Sequence, residues 1–102
     1  MINVLFYCTA RPGSEDRLKS LLADMQRVSR DEDKAIQYTF LQQKDNASEW
    51  ALVEQWRDRA HLEAHVANMK KHFGDPPPGA QLPARMHELV ASSRFTFYKL
   101  VD

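Results

Sequence analysis

The stretch EWALVEQWRDRAHLEAHVANMKKHF, residues 49–73, changes its periodicity once and so predicts a strand followed directly by a helix. Large apolar side chains alternate through its first eight residues, which is typical of a β-strand with one face in a core. Asp58 is a favourable helix N-cap. The apolar side chains after it recur at helical spacing: Leu62, Val66, Met69 and Phe73. The pattern predicts a third strand that leads straight into a second helix.

The segments on either side supply three more strands and another helix. Strand one ends at Pro12-Gly13, and Ser14 is predicted to cap the helix that follows it. The loop GDPPPG, residues 74–79, excludes regular structure for several residues. In chain order we predict strand one (2–10), helix one (14–29), strand two (36–43), strand three (49–56), helix two (58–73), a short helical piece (82–90) and strand four (94–101).

The order β-α-β-β-α-β predicts an α+β, ferredoxin-like fold, in which an antiparallel four-stranded sheet carries its helices on one face. Residues 1–102 contain no internal repeat and no linker, so we expect a single domain. Strands one, two and four nevertheless have apolar side chains on both faces, such as Leu5 and Tyr7 opposite Phe6. Because two helices cover only one face of such a sheet, the other face predicts a homodimer that packs sheet against sheet.

The charge balance argues against two classes of partner. The 14 basic and 14 acidic residues cancel without forming blocks, so we expect no nucleic-acid binding and no attachment to an anionic membrane. No apolar run approaches the roughly 20 residues of a membrane span, and the first residues lack a basic leader. Cys8 alone cannot form an internal disulfide, which fits a reducing compartment. We therefore expect a cytoplasmic protein.

Three histidines, His61, His65 and His72, fall at one edge of the buried stripe of predicted helix two. His61 and His65 have the i, i+4 spacing of helical zinc sites. His72 lies roughly 10 Å further along the axis and cannot share their ion, so we expect no metal site. His61 and His72 are expected to be exposed. For His65 two interpretations stay open: a core-edge histidine bonded to backbone, or a functional group that meets substrate.

Glu54 is the unusual residue of strand three. It alternates with Leu52 and Trp56 on what should be the buried face of the strand. A carboxylate in that position is either partly buried or in the dimer interface, and it must find a partner, such as Arg57, Arg94 or a backbone amide. The pattern thus marks one acidic group inside an apolar layer.

The residues Glu54-x-Trp56-x-Asp58, followed by Leu62 and His65, resemble the signature of the antibiotic biosynthesis monooxygenase family of small dimeric α/β barrel proteins. The whole chain fits the family outline from the first strand to the last. Two segments depart from it. Family members often have Pro-Gly before strand two, where this chain has Asp33-Lys34, and the segment DPPPGAQLP after helix two is an uncommon connection.

The resemblance implies a ligand pocket between the sheet and its helices. It also implies oxygenation of a phenolic or quinol-type aromatic substrate by O₂ without a metal, flavin or haem cofactor. The histidine of the signature, His65, is then the expected catalytic base or hydrogen-bonding partner. The expected substrate-binding residues are Phe6, Tyr38, Trp56, His61 and Met69. The proline loop, residues 76–78, is expected to be a mobile rim of this pocket.

Two alternatives accompany this expectation. Because a fold of this kind provides a pocket but does not guarantee a reaction, the chain is also compatible with a non-catalytic dimer that binds a small aromatic molecule. Some similar proteins degrade haem, but they use an asparagine in strand one, where this chain has Phe6 and Tyr7, and a tryptophan near the position of His65. We therefore do not expect haem degradation.

Overall fold

The computed structural model describes residues 1–101 as one sheet with helices against it. In chain order the elements are β1 (Ile2–Ala10), α1 (Glu15–Asp31), β2 (Gln37–Gln42), β3 (Glu49–Trp56), α2 (Arg59–Phe73), α3 (Ala84–Leu89) and β4 (Val90–Tyr98). The strands lie in the order β2-β3-β1-β4, and every neighbouring pair is antiparallel. The predicted α+β, ferredoxin-like fold is confirmed.

The start of β4 and the cap of α1 differ from the predictions. β4 begins at Val90 rather than Arg94, because its first residues pair with the end of β1 although the small residues Ala91, Ser92 and Ser93 show no apolar alternation. Ser14 occupies the N-cap position of α1, but its side chain makes no capping hydrogen bond. Instead, its backbone carbonyl accepts from Leu18. The helix begins where the sequence predicts, by backbone bonding alone.

The core lies on one face of the sheet, under α1. The amphipathic pattern of α1 buries five large side chains: Leu18, Leu21, Leu22, Met25 and Val28. They meet the strand side chains that point to the same face, among them Phe6 of β1 and Leu52 of β3, which stand opposite each other in the ladder. Each such side chain contributes roughly 1.5–3 kcal/mol on burial, which fixes the register of the strands.

The helices do not cover β4. Phe95 and Phe97 pair with Phe6 and Val4 of β1, and directly opposed residues point to the same face. They are nevertheless 45% and 63% exposed. The ring of Phe95 lies 4.4 Å from that of Phe6, so an apolar wall continues from the core out to the edge of the sheet. This uncovered edge gives access to the interior beside α2 and α3.

The other face of the sheet has no helix on it among the residues described. Leu5 stands opposite Val53 there, and both are half-buried by their neighbours within the sheet. Leu41 and Tyr98 are 53% and 50% exposed. The homodimer inferred from this face stays a prediction. Within residues 1–101, no helix has both the length and the apolar character needed to cross a membrane.

Candidate functional site

A cavity of about 330 Å³ lies between the sheet, α2 and α3. Its walls are almost entirely apolar and come from every layer of the fold, including Phe6, Met25, Phe40, Leu52, Leu62 and Met69. Four ionisable side chains reach it: Tyr38 from β2, Glu54 from β3, and His65 and Lys70 from α2. An apolar cleft with a few convergent polar groups is the usual form of a small-molecule site.

The segment after α2 closes one side of this cavity. Pro76, Leu82 and Pro83 line it, and Leu82 is only 7% exposed. Gly74 makes the turn at the end of α2 with φ of 94°, and a Cβ at this position would lie 2.9 Å from that of Ala84. A larger residue would therefore push α3 away from α2. The loop forms part of the pocket rim, while its mobility stays a prediction.

Glu54 lies on the cavity wall with 5% of its surface exposed. Its Oε1 accepts a hydrogen bond of 2.7 Å from the indole Nε1 of Trp56 and lies 3.7 Å from Nε2 of His65. Burial raises the pKa of this carboxyl to about 7, although the indole bond opposes the shift. The expected partners Arg57, Arg94 or a backbone amide were wrong, because the indole takes that place.

His65 is the buried histidine of α2, at 5% exposure. Its Nδ1 lies 2.8 Å from Oδ2 of Asp33, and an ionised carboxylate only accepts, so Nδ1 carries the proton. Its ring packs 4.4 Å from that of Trp56 and 5.3 Å from that of Tyr38. Burial lowers the pKa of His65, and Asp33 opposes the shift. The partner is a carboxylate, not the backbone group considered from the sequence.

Asp33 is the site residue that sequence reasoning missed. It lies in the connection between α1 and β2, and its Oδ1 accepts a 2.8 Å hydrogen bond from Nδ2 of Asn68, so both oxygens are engaged. Lys34, which follows it, has φ of 55°, a left-handed conformation that costs a non-glycine residue free energy. Asp33 and His65 are far apart in the sequence. The one available signal was the departure of Asp33-Lys34 from the Pro-Gly frequent in the resembling family.

The other predicted site residues divide into two groups. Phe6, Tyr38 and Met69 line the cavity, whereas Trp56 and His61 are not among its lining residues. Trp56 is fully buried behind Glu54 and acts on it through its indole. His61 lies at the start of α2, where its Nδ1 is 2.7 Å from Oδ1 of the N-cap residue Asp58.

Three further side chains clarify the site. Val66, predicted for the buried stripe of α2, is 45% exposed and stands at the cavity opening. The prediction was wrong because the buried residues of α2 are His65, Met69 and Phe73. The buried stripe is therefore centred on His65 and leaves the neighbouring Val66 outside it. His72 is bound at 2.9 Å to Glu32, outside the cavity. Within residues 1–101, no three His, Cys, Asp or Glu side chains come together as metal ligands.

Two other ionisable groups of the core cannot act as bases near neutral pH. Burial and the neighbouring carboxylate of Glu54 raise the pKa of Tyr38, so its hydroxyl keeps its proton. Burial raises the pKa of the Cys8 thiol to about 12. Glu54 and His65 are therefore the candidates for proton transfer in a cavity whose walls are mostly apolar.

The model of the family described as antibiotic biosynthesis monooxygenase matches residues 1–75. A crystal structure of an antibiotic biosynthesis monooxygenase superposes with a TM-score of 0.81 at 19% identity, over 100% of both chains. Rv0793 from Mycobacterium tuberculosis gives 0.79 at 24% identity, over 99% of this chain and 95% of its own. PA3566 from Pseudomonas aeruginosa has a TM-score of 0.72 at 22% identity, over 98% of this chain and 94% of its own. At these identities the structures establish a common fold. No curated protein matches the chain.

Proposed function

The chain belongs to the antibiotic biosynthesis monooxygenase family, and from this membership and its cavity we propose that it oxidises an uncharged phenolic or quinol-type aromatic substrate with O₂. The proposal includes no metal, flavin or haem, because a phenolate is electron-rich enough to pass an electron to O₂ directly. The protein has then to remove a proton, exclude water and orient the ring.

The observation that carries the proposal is the buried pair Glu54 and His65 on an apolar wall. Both side chains line the cavity at 5% exposure, and the nearest atoms of the pair are 3.7 Å apart. A base with a pKa near the working pH is the most effective proton acceptor. Burial raises the pKa of Glu54 to about 7, which is near a neutral working pH. A purely structural layer would have an apolar residue in this position.

The reaction balances with O₂ as the only co-reactant. Proton removal from the substrate gives a phenolate or the corresponding carbanion, and one electron passes to O₂. The substrate radical and superoxide then combine to form a C–O bond, and the peroxide takes up the proton. Cleavage of its O–O bond releases water and leaves a new carbonyl, so an anthrone and O₂ give an anthraquinone and H₂O. One oxygen atom enters the product and the other enters water.

The charges around the cavity favour a neutral substrate. When Glu54 has lost its proton, the carboxylates of Glu54 and Asp33 place negative charge on this side of the cavity. In a cavity of low dielectric, this charge repels an anion. A neutral phenol enters without that cost. When the substrate gives its proton to Glu54, the substrate gains the negative charge that the carboxylate loses, so the total charge in the cavity does not change.

Oxygen uptake tests the proposal. Chelator-treated protein should consume O₂ with members of a panel of hydroquinones and anthrones, at a rate unchanged by further chelator. His65→Ala should lower turnover by roughly 100-fold or more, the usual scale for the loss of a proton-transfer group. His72→Ala is the matched control, a histidine of the same helix outside the cavity, and should leave turnover unchanged. No uptake with any compound would overturn the proposal.

The second candidate function is a non-catalytic dimer that binds a small aromatic molecule. The apolar cavity favours it, since such walls alone are enough to hold an aromatic ring. Calorimetric titration with the same panel separates the two functions. Tight binding of one compound with no O₂ consumption would favour the binding protein, whereas turnover excludes it.

A further inference from the structure

Resting on the proposed function, we propose that Glu54, rather than His65, accepts the proton of the substrate. Oε2 of Glu54 is the receiving atom; rotation of the protonated carboxyl then turns this oxygen towards Nε2 of His65, which takes the proton on. Asp33 is a positioning residue, which holds the ring of His65 so that this second transfer is directed. The three side chains act as a carboxylate–imidazole–carboxylate relay that spans β3, α2 and the α1–β2 connection.

Glu54 has one oxygen fixed and one free. Oε1 is held by the indole N–H of Trp56 at 2.7 Å. Among the hydrogen bonds of residues 1–101, none involves Oε2, although Glu54 lines the cavity. Within residues 1–101, Nε1 of Trp50 is the one fully buried side-chain N or O atom without a partner, so Oε2 of Glu54 keeps some accessible surface, and a bound hydroxyl would satisfy it. The indole thus orients the carboxyl and leaves its other oxygen for the substrate.

His65 has no comparable freedom. Nδ1 is engaged by Asp33 at 2.8 Å, and the remaining nitrogen, Nε2, lies 3.7 Å from Oε1 of Glu54. That distance exceeds a hydrogen bond by about 0.7–1 Å, a gap that side-chain rotation on substrate binding can close. The lone pair at Nε2 therefore serves the neighbouring carboxyl. A substrate hydroxyl that approaches this nitrogen competes with Oε1 of Glu54 for it.

The surrounding groups shift the pKa values of Glu54 and His65 in opposite directions. Burial raises the pKa of Glu54 to about 7, and burial lowers the pKa of His65 while Asp33 raises it. The other titratable or charged groups near the pair are the hydroxyl of Tyr38 on β2, which stays protonated, and Lys70 on the α2 side of the cavity. Asp33, at 2.8 Å from Nδ1, stabilises the imidazolium that forms when His65 takes the proton from Glu54.

The test compares Glu54→Gln and Asp33→Asn with Glu63→Gln, an exposed carboxylate of α2 that serves as control. Glu54→Gln keeps the shape and the bond to the indole, and should lower kcat at least roughly 100-fold while KM changes less than about threefold. Glu54→Asp, which keeps the charge but withdraws the oxygen, should lose roughly 10-fold or more. The control should match the wild type. Glu54→Gln retaining more than about a tenth of kcat would overturn the proposal.

Asp33→Asn tests positioning through the pH profile. The kcat of the wild type should rise with pH around a midpoint near 7, as Glu54 loses its resting proton. In Asp33→Asn the plateau should fall roughly tenfold, and the midpoint should move to lower pH because a neighbouring negative charge is gone. A merely structural role for Asp33 would lower the melting temperature and leave the midpoint of the folded enzyme in place, and that result would overturn the assignment.

An infrared titration keeps the relay testable if the protein consumes no O₂ at all. The carbonyl stretch of a protonated carboxyl should appear in the wild type as pH falls through about 7 and be absent from Glu54→Gln. The same titration in Asp33→Asn should give a lower midpoint. If the wild-type protein shows this band but consumes no O₂, the proposed function is refuted while the proposed pair of Glu54 and His65 is retained. No such band below the midpoint overturns the relay itself.

Discussion

Replacing Glu54 with glutamine should stabilise the protein, and by more as pH rises. In the folded state burial raises the pKa of this carboxyl from 4.5 to about 7, so folding favours the protonated form. Its contribution is therefore fully present below about 4.5, and is lost as pH rises through about 7. One pKa unit corresponds to about 1.4 kcal/mol. Above pH 7 the wild type has therefore lost about 3 kcal/mol of its free energy of unfolding, which the Glu54→Gln variant keeps.

Urea unfolding at a fixed protein concentration measures this difference. The free energy of unfolding of Glu54→Gln should exceed that of the wild type by about 1 kcal/mol near pH 5 and by about 3 kcal/mol near pH 8. His65 has a lowered folded pKa, so its contribution is lost as pH falls; it is present in both proteins and largely cancels. Glu63→Gln should parallel the wild type. If the free energy of unfolding of Glu54→Gln also followed that of the wild type at every pH, Glu54 would have an unshifted pKa in the folded protein.

Three other substitutions have expected outcomes. Lys34→Gly should raise the free energy of unfolding by roughly 0.5–1 kcal/mol in thermal melts, because glycine adopts the φ of 55° without strain; no gain would mean that the turn is relaxed. Val53→Asp, on the sheet face without helices, should halve the mass found by sedimentation from dimer to monomer, and a wild-type monomer would refute the homodimer. Trp56→Phe should move the infrared midpoint of Glu54 to higher pH, since the indole bond lowers its pKa; an unmoved midpoint would contradict that role.

The fold was predictable because its deciding signals are local. The alternation of β3 and the helical spacing of α2 meet at Asp58, and the structure has the cap there, with Asp58 accepting from the backbone N–H of His61. The start of β4 was not predictable from residues 91–93. Those residues are small or polar and exposed, and their strand conformation comes from pairing with β1. A strand that forms by pairing with a sequence-distant strand does not need an alternating apolar pattern of its own, so its sequence does not reveal it.

The candidate site was predictable only in part, for the same reason. Glu54 stood out because a carboxylate interrupted an apolar face, and His65 because helical spacing turned it inward. Asp33 carried no such mark. It follows a helix in a charged turn, where carboxylates are ordinary, and only the packing of the α1–β2 connection against α2 brings it to 2.8 Å from His65. Contacts of this kind depend on how elements pack, which spacing within one element does not encode.

The energetic position of Glu54 argues that the pair is maintained for chemistry. A buried carboxyl that ionises near neutral pH costs the fold about 3 kcal/mol there, and an apolar residue of similar volume in the same layer avoids that cost. In the part of the chain that the structure describes, no lysine or arginine forms an ion pair with Glu54; its neighbours are an indole N–H and a histidine already engaged by another carboxylate. With a pKa of about 7, Glu54 binds a proton strongly enough to take it from a substrate and weakly enough to release it again. Proton transfer requires that balance, whereas stability alone would favour removing the charge.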